Sequence, residues 1–197
     1  MPAIGIIPAM KLQSLELKIA EKLIEHGQKV VFSTSTRFCK DNFLLIEHGQ
    51  KVVFAESCTG GLIGHRITNL PGSSKYYLGS ITAYAYEAKV HWLDVSWDTL
   101  EAYGAVSREV VLEMAQGVRK ALKADIGLSV SGIAGPGGGL PDKPVGTIWI
   151  GLATAEGNWS RHFCWDGDRL QNKNYSADAV LQMLLDYLHG ERDLDRE

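Results

Sequence analysis

Apolar residues along this chain alternate between two rhythms, one helical and one suited to extended strands. Leu12, Leu15, Ile19 and Leu23, with Ala20 and Ile24 beside them, recur every three to four positions and predict a helix over Leu12–Glu25. A strand-like run over Lys29–Ser33 follows, then a second helical stretch over Lys40–His48. Gln50–Ala55, with β-branched Val52 and Val53 beside Phe54, enters after a turn at Gly49 and reads as a strand. Tyr76–Tyr84 predicts another strand, and Glu87–Leu93 a short helix. Ser96 and Ser107 have the look of N-caps, each with an acid in the following turn (Asp98, Glu109). After Ser107, the residues Val110, Val111, Met114, Val118, Ala121 and Leu122 form one helical stripe. Ile126–Ser131 and Val145–Thr154 read as buried strands. Trp159–Trp165 alternates as a half-buried one, with Trp159, Arg161, Phe163 and Trp165 on one face. A last helix is expected over Ser176–Leu188, stopped by Gly190, before a charged tail that should fray.

Strands taking turns with helices predict an α/β fold, a three-layer α/β/α sandwich. The adjacent Val145–Thr154 and Trp159–Trp165 segments form a hairpin through residues 155–158, so the sheet should be mixed and mostly parallel. The domain reading is an N-terminal extension over 1–11, a single domain over 12–190, and the tail 191–197.

One feature breaks this order. The ten residues Leu23–Phe32 (LIEHGQKVVF) recur without a change at Leu45–Phe54, offset by 22. Two copies at so short a spacing make a local tandem duplication, not a stackable repeat architecture. The first copy runs on into Ser33-Thr34-Ser35, so Ser35 aligns with Ser57 but lacks a counterpart to Glu56 and to the Gly60-Gly61 pair. The second copy is therefore expected to supply the strand that leads to Ser57; the helix packed beside it is either Lys40–His48 or Leu12–Glu25, and the better apolar stripe favours Leu12–Glu25.

Bulk properties narrow the function. With 197 residues, 45% hydrophobic and 22% charged, the chain fits one globular domain. A formal charge of −3 and the absence of a lysine/arginine run argue against nucleic acid as a partner. No apolar stretch approaches the ~18 residues of a membrane span, and the apolar start (Met1–Pro8) makes a poor signal peptide. Cys39, Cys58 and Cys164 are too few for a disulfide framework, which favours a reducing, cytoplasmic setting. No His/Cys spacing suits a metal, so no metal or other cofactor is expected.

Candidate chemistry lies in three segments. In Glu56-Ser57-Cys58-Thr59-Gly60-Gly61 a buried strand turns into a short helix over residues 62–67, placing a serine hydroxyl at the strand's carboxyl end near free helix N–H groups. That is the placement of a nucleophile, although the G-x-S-x-G elbow is absent; the alternative is that Ser57 or Thr59 simply caps the helix. Ala83–Lys89 puts Tyr84 at a strand end and Lys89 just inside a helix. Residues 132–139 hold five glycines in eight positions, as an oxyanion or phosphate nest needs, or as any flexible turn has. The loop is neither a P-loop nor a dinucleotide fingerprint, since it leads into a strand and lacks G-x-x-x-x-G-K-[ST].

AESCTGG at 55–61, LPGSSKYYLGSITAY at 70–84, EAK at 87–89, GAVS at 104–107, SGIAGPGGG at 131–139, KPVGT at 143–147 and GDR at 167–169 carry a resemblance. Together they make the chain similar, over about Leu12–Leu188, to the C-terminal domain of competence-inducible protein CinA, a family whose members include nicotinamide mononucleotide deamidases. Departures are Ser131 where threonine is common, Tyr86 and Trp92 in the lysine helix, and the duplication. The resemblance implies an amidohydrolase with a serine–lysine arrangement and no metal, acting on a small-molecule nucleotide, as a homodimer or higher homo-oligomer. It makes Ser57 the nucleophile, Lys89 the general base and Tyr84 a proton-relay or positioning hydroxyl. It assigns substrate binding to Cys58, Thr59, Gly60, Gly61, Ala134, Gly135, Gly137, Gly138 and Arg169. Lysine is a base near neutrality only if its pKa falls well below ~10.4. Cys58 is a competing nucleophile in principle. The other reading the resemblance permits is a catalytically inactive regulatory or interaction module.

Overall fold

The computed structural model describes residues 50–195 apart from Pro71, His189 and Arg192, together with the dipeptides 28–29 and 45–46. Those dipeptides, β1 (Gln28–Lys29) and β2 (Leu45–Ile46), form a small antiparallel ladder of their own, one strand from each copy of the repeat. Leu45 and Ile46 are thus extended, where the spacing predicts a helix. The remaining strands are β3 (Val52–Glu56), β4 (Tyr77–Thr82), β5 (Ile126–Gly132), β6 (Thr147–Ala153) and β7 (Asn158–Cys164). They make one sheet in the order β4-β3-β5-β6-β7. β4, β3 and β5 are parallel, β6 runs against them, and β7 turns back again, so four of the five strands point the same way. The β6–β7 hairpin is what makes the sheet mixed.

Helices cover both faces. On one lie α1 (Leu62–Thr68) and α5 (Arg169–Leu188), packed on Phe54, Leu128, Ile148 and Ile150. On the other lie α2 (Tyr86–Leu93), α3 (Trp97–Tyr103) and α4 (Arg108–Ala121), packed on Val53 and Ala55. The inner strand β3, between β4 and β5, is buried on both sides, which is why it reads as a continuous apolar run and not as an alternation. Ser96 and Ser107 cap α3 and α4 as expected, accepting from the amides of Asp98 and Val110. At Gly117 of α4 a Cβ would stand 1.8 Å from the Leu93 carbonyl oxygen. The backbones of α2 and α4 touch there, and that contact holds α2 in place.

Two further regions depart from expectation. α5 begins at Arg169, seven residues earlier than the apolar stripe predicts, because Asp168 caps it: its Oδ1 accepts from the Gln171 amide at 2.9 Å. The tail does not fray over its described residues. Leu194 is fully buried, and Asp195 accepts from the Ser160 amide of the edge strand β7 at 2.6 Å.

The expectation that Leu12–Glu25 packs beside the site strand falls outside the described residues. The second copy does supply β3, and the described part of the first copy stands off the main sheet. Deleting residues 33–54 joins Phe32 to Ala55 and recreates LIEHGQKVVFAESCTGG without any change of residue. The shortened chain is expected to be soluble and to melt cooperatively at or above the parent temperature, as read by circular dichroism. An insoluble product would show that the extra segment has joined the core.

Candidate active site

Three parallel strands deliver three loops to one edge of the sheet: β3 ends at Glu56, β4 leads to Ala83 and Tyr84, and β5 opens the glycine loop at Ile133. In an open α/β sheet, the carboxyl edge of parallel strands is where ligands gather. Here the edge brings together Ser57, Lys89 and Arg169.

The turn from β3 to α1 occupies residues 57–61. Gly60 and Gly61 close it at φ 64° and 95°, a left-handed pair that side-chain-bearing residues resist. Neither Ser57 nor Thr59 caps α1; Gly61 is the N-cap and makes no side-chain hydrogen bond. The cap is Glu56. Its carboxylate, fully buried, accepts from the amides of Gly61 (3.0 Å), Ile63 (3.1 Å) and Gly64 (2.9 Å) and from Thr59 Oγ1 (2.8 Å). The expectation that free N–H groups of α1 face a substrate oxygen is corrected here, because a protein carboxylate already takes them. Ser57, relieved of capping, is 7% exposed with its hydroxyl turned to Lys89.

Lys89 sits one turn into α2 and is 1% exposed. Its Nζ donates to Ser57 Oγ at 3.0 Å, to the Ala83 carbonyl at 2.8 Å and to the Tyr84 carbonyl at 3.0 Å. Burial lowers its pKa from the ordinary lysine value to about 8, against a smaller raising influence from Cys58. The neutral amine keeps two hydrogens for the two carbonyls and aims its lone pair at the serine hydroxyl.

The other expected residues fall into two groups. The side chains of Cys58 and Thr59 point into the protein: Cys58 is buried in the core, and Thr59 is spent on Glu56. Burial pushes the Cys58 thiol up to about 12, so it is a neutral, weak nucleophile. The amides of Cys58 and Thr59 make no hydrogen bond to another residue among the described ones, whereas the Gly60 amide closes the turn on the Ser57 carbonyl at 3.1 Å. Tyr84 meets Lys89 through its carbonyl. Its ring is 61% exposed, and its hydroxyl accepts from Arg169 Nη2 at 3.2 Å without touching Ser57. Arg169 Nη1 donates to the Gly135 carbonyl at 2.6 Å, tying the glycine loop to the Tyr84 side. Ala134 is buried, with its carbonyl held by Asn172 Nδ2, while Gly137 and Gly138 lie exposed on the outer part of the loop.

Sequence reasoning missed Glu56 and Asn172. A glutamate at a strand end reads as a solvated residue; the one signal was that the first copy of the repeat, without the site, has Thr34 in its place. Asn172, fully buried, also pins the Gly167 amide and carbonyl. Among the described residues no group of three or more His, Cys, Asp or Glu side chains stands together to hold a metal, and no helix is long and apolar enough to cross a membrane.

Known proteins share this fold. A family model described as CinA C-terminal domain matches residues 40–188. A CinA-like protein of Salinibacter ruber is 52% identical over 128 residues, which are 65% of this chain and 31% of that one. The chain spans about a third of the length of the curated relatives it matches. Among solved structures, the competence/damage inducible protein CihA of Agrobacterium tumefaciens is 36% identical with a TM-score of 0.69, covering 72% of this chain and 86% of that one. The competence damage-inducible protein A of Klebsiella pneumoniae has a TM-score of 0.76 at 27% identity, covering 90% and 97%.

Proposed function

The chain belongs to the CinA C-terminal domain family, and on that premise we propose that it is a serine–lysine amidohydrolase that converts nicotinamide mononucleotide to nicotinate mononucleotide and ammonia. The observation that carries the reading is the buried Lys89 amine, 3.0 Å from Ser57 Oγ and steadied by two backbone carbonyls. Solvated lysines do not adopt this setting, and a structural lysine has no need of a serine hydroxyl at the edge of a sheet. Ser57 Oγ attacks the amide carbonyl carbon as its proton passes to neutral Lys89. The oxyanion that forms is met by the Cys58 and Thr59 amides, the N–H groups of the turn that Glu56 leaves open. Lys89 then hands its proton to the departing nitrogen, ammonia leaves, and water attacks the acyl-serine with Lys89 again as base. The product carboxylate departs and Ser57 is restored.

Ammonia release from nicotinamide mononucleotide by the purified chain tests the reading directly. No release, from a folded protein, leaves a binding or regulatory module. The pH profile is a second check. Lys89 works in its unprotonated form, whose fraction grows as pH rises through its folded pKa of about 8. The expected kcat/KM therefore rises about tenfold per pH unit below that value and levels off above it. A profile flat from pH 6 to 9 would remove Lys89 from the role of base.

A further inference from the structure

Two cations of α5 reach the mouth of the site, and their situations differ. Arg169 is a strut: two of its donors are spent on the Gly135 carbonyl and the Tyr84 hydroxyl. Lys173, one helical turn further on, is half-buried and makes no hydrogen bond or ion pair among the described residues. Its Nζ lies over the serine turn, 3.8 Å from where a Cβ at Gly60 would stand. Its charge is felt at Cys58, the residue next to the nucleophile. The nearest buried anion, Glu56, has both oxygens turned away onto α1 and Thr59. The opening thus carries positive charge from Arg169 and Lys173 beside a Lys89 that works as the neutral amine, and among the described residues Lys173 is the one of the three with every donor unclaimed.

We propose that Lys173 binds the phosphate of the substrate, and that this contact selects a nucleotide over the corresponding nucleoside or free amide. The assignment rests on the amidohydrolase reading above. A compact ammonium with three donors suits a phosphomonoester dianion, which it meets as a point charge. With no side chain, Gly60 leaves the Lys173 ammonium uncovered on the side of the serine turn. Arg169, by holding the glycine loop and Tyr84, shapes the wall against which the rest of the substrate rests.

The test compares steady-state kinetics on nicotinamide mononucleotide and nicotinamide riboside for the parent, Lys173→Ala and Lys173→Arg. Lys173→Ala is expected to raise KM for the nucleotide roughly 10- to 100-fold, the worth of a charged hydrogen bond, with kcat held and riboside kinetics unchanged. Lys173→Arg is expected to restore most of the affinity. Calorimetry of nicotinate mononucleotide on Ser57→Ala, with and without Lys173→Ala, should give the same loss without turnover. An unchanged nucleotide KM, or an equal loss on the riboside, overturns the phosphate contact while leaving the amidase reading standing. A parent that releases no ammonia from the nucleotide defeats that reading and this assignment with it.

Discussion

Ser57→Ala is expected to lower kcat/KM for the proposed amide hydrolysis by about 10⁴-fold or more, and Cys58→Ala to keep most of the parent rate. The two residues are neighbours in sequence but not in circumstance. Ser57 holds its hydroxyl 3.0 Å from the Lys89 amine at the open edge of the sheet. The Cys58 side chain is in the core, with a thiol that burial keeps protonated at neutral pH. Sulfur is the better nucleophile in general, and here its position cancels that advantage. Cys58→Ala should cost on the order of 1 kcal/mol in stability through a small cavity, visible as a lowered melting temperature with activity retained. If Cys58→Ala is the dead variant and Ser57→Ala turns over normally, the nucleophile has been misassigned.

Lys89→Arg is expected to be nearly as damaging as Lys89→Ala, both losing about 10³-fold or more in kcat. Arginine keeps the positive charge and gains donors, but with a pKa above ~12 it has no lone pair to offer. The pocket compounds the loss, because Lys89 is 1% exposed and its amine already touches Ser57 and two carbonyls. The larger guanidinium fits there only by displacing one of them. Single-turnover ammonia release separates the possibilities. A Lys89→Arg variant with substantial kcat would show that position 89 supplies charge alone, and the proton would need another acceptor.

Much of the fold was legible because burial writes itself into periodicity. The stripe after Ser107 became α4 with its predicted cap, and the adjacent runs before and after residues 155–158 became the β6–β7 hairpin. Where polar residues do buried work, the pattern went silent. Asn172, Asn174 and Tyr175 are modest helix formers, so the first two turns of α5 read as loop, and Lys173 was hidden among them. Arg161 sits on the inner face of β7, as the alternation required, and is tolerated because its Nη1 meets Asp186 at 2.6 Å and its Nε the Leu194 carbonyl at 3.0 Å. That second partner lies 33 residues downstream in a tail expected to fray. In the site, the Ser57–Lys89 pairing came from motif resemblance. Spacing alone left Ser57 undecided between cap and nucleophile. Only the Glu56 carboxylate on α1, a contact made in three dimensions, takes the capping role away from it.

The same carboxylate governs how the serine turn moves. Glu56 is the last residue of the inner strand β3, and its oxygens bind amides of the helix that follows. Unfastening the turn would strand a charge inside the protein, a penalty of several kcal/mol, so the turn lacks a cheap local opening of its own. Deuterium should enter at the Ile63 and Gly64 amides about as slowly as at the strand behind them. Loop 57–61 then behaves as an extension of the sheet and not as a lid, so a ligand meets the serine against a wall as rigid as the strand behind it.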